Sequence, residues 1–247
     1  MSEASESEPI AREPVVGPDR LPTTTRPKLP KLATGARPHG LATGELVKLH
    51  HTLAQSLETD RGVVVQFVAP EADAAIEAVV YDLAYMSASW LGKRVLFVNG
   101  VGMRFDSRDQ QIVPRQEPLL NSSTSFRDVE SSITRVVGLE LYQMRFPTMR
   151  GALDLAPTLR QIPDFLARLR ESFDLVLIAS PAASEAPMGV LLSRFVDGNV
   201  LVLEAGRTRA PVASELRDAI SSSGGAVVGA VLTRYRSYIP RFLRRWL

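Results

Sequence analysis

Apolar positions along the chain follow two periods in alternation. Leu46, Leu49, Leu53 and Leu57 recur at helical spacing, predicting a helix over Thr43–Glu58 with Thr43 as its cap. Val63–Val68 is a continuous apolar run, broken by Gln66 alone, and predicts a strand buried on both faces. Ile76, Val79, Val80, Leu83, Tyr85 and Met86 then mark the inner face of a helix from about Glu71 to Leu91. A Gly-Lys-Arg turn leads to a strand over Arg94–Val98.

The second half repeats the alternation. A strand is predicted at Leu139–Phe146. A helix follows on Leu159, Ile162, Leu166 and Leu169, with Pro163 tolerable only in its first turn. Strands are predicted at Phe173–Ala179, Val200–Glu204 and Val227–Leu232. A helix is predicted at Pro211–Ser222, opened by its proline and closed by Gly224 and Gly225. The stretch 100–135 is polar and rich in Ser and Arg, with a short helix predicted at Phe126–Ser132. Strands alternating with helices over this length predict an α/β fold with a doubly wound, mostly parallel sheet.

Residues 1–40 break the pattern. Their prolines are spread along a stretch without apolar period, acidic first (Glu3, Glu6, Glu8) and basic later, which predicts a disordered tail before a domain over 41–247.

Composition narrows the chemistry. The formal net charge of +2 gives no reason to expect nucleic acid as a partner. The chain has no cysteine, which excludes disulfides, thiolate metal sites and a Cys nucleophile. Its 3 histidines, His39, His50 and His51, all precede the first core strand, so no His-based metal or acid–base centre is expected in the main domain. No apolar run is long enough to span a membrane and the N-terminus does not read as a signal peptide, so a cytoplasmic location is expected.

The stretch Gly62–Gly102 reads as a β-loop-α-β unit. In nucleotide-binding units of this kind the first loop is GxxxxGK[ST], whose backbone N–H groups and lysine cradle phosphates. Here no Gly or Lys lies between Val63 and Leu91.

The order of segments resembles the cytoplasmic domain of bacterial tyrosine kinases (BY-kinases), relatives of the MinD/ParA-type P-loop ATPases. GELVKLHHTLAQSL is similar to the family's EAFRxLRTNL segment, LGKRVLFVN to GKRVLLID, and ESFDLVLIASP to a YDLVLIDTP strand. FVDGNVLVLEAGRTR and GAVVGAVLTRYRSYIPRF resemble two later family segments, so the resemblance spans about residues 43–247. It implies a P-loop NTPase-like fold in a setting of polysaccharide co-polymerases and exopolysaccharide or capsule export.

The same alignment implies a degenerate site. The Walker A glycine falls on Ala75, its lysine on Ile76 and its Ser/Thr on Glu77. The DxD pair falls on Asn99 and Val101, the Walker B aspartate on Ala179, and an asparagine that often lies near the adenine on Thr233. Phosphoryl transfer relies on electrostatic stabilisation by such groups and their metal ion. The resemblance therefore implies a pseudo-kinase with no catalytic residue, metal ligand or cofactor. The alternative is a divergent ATPase or tyrosine kinase that uses ATP and Mg with other residues, for which Asp82, Arg104, Asp106 and Asp109 are candidates.

At the C-terminus Ile239, Phe242, Leu243, Trp246 and Leu247 share one helical face, with Arg241, Arg244 and Arg245 off it. Such a segment suits packing on the domain or a partner, and equally an anionic membrane surface, as in a MinD-like positioning protein. Tyr235 and Tyr238 are a poor match to the family's tyrosine cluster and read as ordinary packing residues. The expected role is a non-catalytic scaffold or regulator at the inner face of the inner membrane. It would act on a membrane co-polymerase through Arg207, Arg209 and the tail.

Overall fold

A computed structural model describes residues 41, 43–57, 60–72, 75–100, 119–120, 133–146, 148–149 and 155–234. The elements in chain order are α1 (Thr43–Ser56), β1 (Val63–Val68), α2 (Ala75–Leu91), β2 (Val95–Asn99), β3 (Leu119–Leu120), β4 (Thr134–Arg135) and β5 (Leu141–Arg145). They continue as β6 (Thr148–Met149), α3 (Leu155–Ser172), β7 (Leu175–Ala179), α4 (Met188–Leu192), β8 (Gly198–Glu204), α5 (Ala210–Ser222) and β9 (Val227–Thr233).

The main sheet has 7 strands in the order β4-β5-β2-β7-β1-β8-β9. All neighbours pair in parallel except β4, which lies antiparallel on β5 at one edge. The doubly wound, mostly parallel sheet expected from the alternation is therefore the observed one. β3 and β6 form a separate two-stranded pair.

Strand alternation divides the core into two faces. Val65, Phe67, Val95, Phe97 and Leu177 pack with Leu46 and Leu53 of α1 and Val79, Val80 and Leu83 of α2. Val64, Leu96, Val98, Val176 and Ile178 pack on the other face with Ile162, Phe165, Leu166 and Leu169 of α3. Val68 and Leu201 meet Leu216 and Ile220 of α5 in a third cluster. Each large side chain buried here contributes about 1.5–3 kcal/mol.

Two features fix β1 against its neighbours. Gly62 lies so close to α3 that a Cβ on it would fall 2.0 Å from the Phe173 carbonyl oxygen. Asp197, just before β8, accepts hydrogen bonds from the Val64 N–H at 2.8 Å and from Arg170 at 3.0 and 3.1 Å. Arg170 also donates to the Phe195 carbonyl at 3.0 Å, so one guanidinium ties α3 to the start of β8.

Several boundaries correct the sequence reading. α2 begins at Ala75, not near Glu71, because Glu71 and Ala72 belong to an exposed loop. Thr43 is the first helical residue, not the cap of α1. Pro163 lies mid-helix, since α3 starts at Leu155. The proline is exposed, and the buried stripe beneath it outweighs the ~3 kcal/mol that an interior proline costs. Strand β5 is shorter than expected, β7 starts at Leu175, and β8 begins earlier, at Gly198. α4 and the two-residue strands are too short to leave a period in the sequence. The helix expected at Phe126–Ser132 and the tail over residues 1–40 lie outside the described residues.

Candidate functional site: the crevice at the switch point

The topology sets the site. From β1 the chain crosses through α2 to β2, beyond β7; from β7 it crosses back through α4 to β8, beyond β1. The winding reverses between β1 and β7, and a crevice opens outside the carboxyl ends of those strands, where ligands of doubly wound sheets bind.

Five of the residues singled out in the sequence meet at this end of the sheet. Ala75 and Ile76 open α2 and are buried, Ile76 among the sheet and helix side chains of the core. Ala179 closes β7, fully buried, and pairs in register with Phe67 on one side and Asn99 on the other. Glu77 is exposed, and Asn99 Nδ2 donates a hydrogen bond to its Oε1 at 2.7 Å. The Gly100 N–H donates to the Ala179 carbonyl at 2.8 Å. Val101 lies outside the described residues, as do Asp106, Asp109 and Arg104.

A second contact was not foreseen. The loop after β7 folds onto the segment that leaves β1. Ser180 N–H donates to the Phe67 carbonyl at 3.0 Å, Ala183 N–H to Ala69 at 2.9 Å, and Ser184 N–H to Pro70 at 3.1 Å. Pro181, Ala182 and Ala186 are buried in this contact. Pro70 has no N–H to offer a ligand, and the stretch Ala69–Glu77 carries no cationic side chain. The prolines and small residues of both loops were the signal in the sequence, but pairing two distant loops needs the strand order. The Ser180 hydroxyl is buried and has no hydrogen-bond partner among the described residues.

At the outer end of β8 and β9, Glu204 accepts hydrogen bonds from Arg207 at 3.3 Å and from Arg234 at 2.6 Å. Thr208 Oγ1 accepts from the Glu204 N–H at 3.0 Å and folds the loop into a tight turn. Arg207 is 62% exposed, and Arg209, extended just before α5, is also exposed. Thr233 is buried, with its hydroxyl donating to the Leu203 carbonyl at 3.2 Å. Arg241, Arg244, Arg245 and Trp246 lie outside the described residues. Among the described residues no group of three or more His, Cys, Asp or Glu side chains could hold a metal ion, and no helix is long and apolar enough to cross a membrane.

The fold is that of the P-loop NTPase-like α/β proteins, and solved kinase domains share it. The BceF tyrosine kinase domain is 20% identical, with 76% of each chain covered and a TM-score of 0.59. The kinase domain of the Escherichia coli tyrosine kinase ETK is 17% identical over 76% of this chain and 73% of that one, with a TM-score of 0.60. The VpsO kinase domain is 18% identical over 78% of this chain and 94% of that one, with a TM-score of 0.58. No protein-family model and no curated protein matches the chain.

Proposed function

We propose that the chain is a non-catalytic, kinase-shaped scaffold or regulator of exopolysaccharide or capsule export, acting at the inner face of the inner membrane on a polysaccharide co-polymerase. One observation carries the reading. Where a nucleotide enzyme of this fold would present a Ser/Thr hydroxyl and an aspartate to a magnesium ion, Asn99 and Glu77 are hydrogen-bonded to each other. An amide in place of a carboxylate removes a hard anionic ligand. A glutamate at the helix start sets a negative charge where phosphate would lie. The buried Ile76 supplies no cation, and Ala179 supplies no oxygen.

Function by occupancy follows from this. The domain docks as a kinase domain would and does not turn over. Arg207 and Arg209, exposed beside the crevice end of β8, are the first contacts proposed, and Arg241, Arg244, Arg245 and Trp246 of the C-terminal segment are proposed as further contacts with partner or membrane. The test is co-purification of the full chain with the membrane co-polymerase of its own host. Arg207→Gln with Arg209→Glu, which spares Glu204 a facing carboxylate, should reduce recovery at least tenfold with no more than a small change in thermal midpoint. Undiminished recovery would remove these arginines from the interface. Turnover of Mg-ATP by the purified chain would favour the competing reading, a divergent ATPase or kinase.

A further inference from the structure

Asn99 is followed by Gly100, an order found once among the chain's 3 asparagines. Asparagine is a thermolabile residue, and a glycine after it favours one reaction. With no Cβ, glycine leaves its backbone nitrogen open to the side chain before it. That nitrogen, once it has lost its proton, attacks the asparagine Cγ. A C–N bond closes a succinimide ring, and Nδ2 takes up a proton and leaves as ammonia. Water then opens the ring at either carbonyl, giving aspartate or isoaspartate. One water is consumed and one ammonia released, with no oxidant or cofactor.

The fold opposes this reaction at three points. The Asn99 carbonyl accepts from the Phe146 N–H at 2.8 Å, and the Gly100 N–H donates to the Ala179 carbonyl at 2.8 Å. The peptide group between Asn99 and Gly100 is thus bonded on both sides, toward β5 and toward β7. Gly100 is buried, and its nitrogen points along the sheet, whereas the Asn99 side chain stands out of the sheet plane. There Asn99 Nδ2 donates to Glu77 Oε1 at 2.7 Å, which holds the side chain over the first turn of α2. Ring closure requires all three bonds to break together.

We propose that Asn99 is a latent deamidation site, held shut by these three hydrogen bonds and opened when the crevice end of β2 comes away from its neighbours. The product exchanges a donor for an acceptor, so the bond to Glu77 is lost and a second carboxylate faces it. Isoaspartate also lengthens the main chain by one carbon where β2 ends. The reaction thereby returns an acidic group to the corner of the crevice where the sequence carries an amide.

The test is the rate of deamidation at residue 99 in the full chain, followed by peptide mass mapping in mildly alkaline buffer with and without denaturing urea. Deamidation changes the mass and isomerisation at Asp197–Gly198 does not, so the two are separable. The native rate should lie at least tenfold below the rate in urea, because only the locally opened fraction reacts. Glu77→Ala should raise the native rate at least threefold and leave the rate in urea unchanged, and Glu77→Gln, which keeps an acceptor oxygen, should restore the slow rate. Gly100→Ala should slow the reaction severalfold in urea, tracing it to the glycine nitrogen. Equal rates with and without urea, or a native rate unmoved by Glu77→Ala, would overturn the latch. No conversion at residue 99 in urea, or conversion indifferent to Gly100→Ala, would overturn the site. None of these outcomes depends on whether the crevice takes nucleotide.

Discussion

The Asn99 side-chain amide donates to the Glu77 carboxylate at 2.7 Å, joining the end of β2 to the first turn of α2 across the mouth of the crevice. Replacing Asn99 with Asp restores an acidic group and sets it against Glu77. Both positions are solvent-accessible, so the repulsion is screened and the loss is modest, on the order of 0.5–1 kcal/mol. Because it needs a carboxylate at both positions, the loss should disappear when Glu77 is replaced by Gln. Urea unfolding of Asn99→Asp with and without Glu77→Gln checks this; an equal loss in both backgrounds would mean that repulsion is not the cause.

Asp197 and Arg170 form the least exposed ion pair among those found in the described residues, with side-chain exposures of 16% and 12%. Asp197→Ala takes the acceptor from the Val64 N–H and the counter-charge from Arg170, which keeps its bond to the Phe195 carbonyl. The expected cost is about 3 kcal/mol. The double variant Asp197→Leu/Arg170→Met should recover a large part of it, because a buried pair can be exchanged for apolar groups of similar volume. Chemical denaturation of the single and double variants settles the point.

Pro163 sits mid-helix and exposed. Its replacement by Ala restores an N–H donor and removes a clash costing ~3 kcal/mol, against about 0.4–1 kcal/mol of unfolded-chain entropy released. The net expectation is a gain of about 2 kcal/mol and a rise of several degrees in thermal midpoint. Gly62→Ala should do the opposite. Its Cβ would meet the backbone carbonyls of Phe173 and Arg170 at 2.0 and 2.6 Å, and no side-chain rotation can clear them. A loss of about 3 kcal/mol or more is expected.

His50 gives a pH signature. Its pKa is lowered by burial first, then by Lys93 and His51. The folded state thus binds fewer protons than the unfolded one. The associated stability is complete above about pH 6.5 and is lost as pH falls toward the folded-state pKa. His50→Gln should flatten the fall in stability below that pH. Denaturation at pH 7.5 and 5.0 measures the difference; parallel losses in both proteins would assign the acid sensitivity elsewhere.

Much of the frame was legible in the sequence because buried parallel strands read as apolar runs, unbroken at Leu175–Ala179 and broken at Val63–Val68 by Gln66 alone. The inner faces of α2 and α3 were legible for the same reason, as rows of apolar residues at helical spacing. Boundaries were less so. Glu71 and Ala72 have no local signal that excludes helix, and Pro163 is a helix breaker overruled by tertiary packing. At the crevice, the absent Gly and Lys could be read directly. The Asn99–Glu77 bond and the seal of Ser180–Ser184 over Ala69 and Pro70 could not, because they join segments far apart in the chain.

The central claim is that the crevice does not hold nucleotide. The direct measurement is thermal unfolding of the full chain with and without millimolar Mg-ATP and Mg-ADP. A nucleotide at ~100 times its dissociation constant would add about 2.7 kcal/mol, a shift of several degrees for a domain of this size. The account predicts no shift with either nucleotide. A saturable rise that requires magnesium would contradict it and make the divergent ATPase or kinase the reading to pursue.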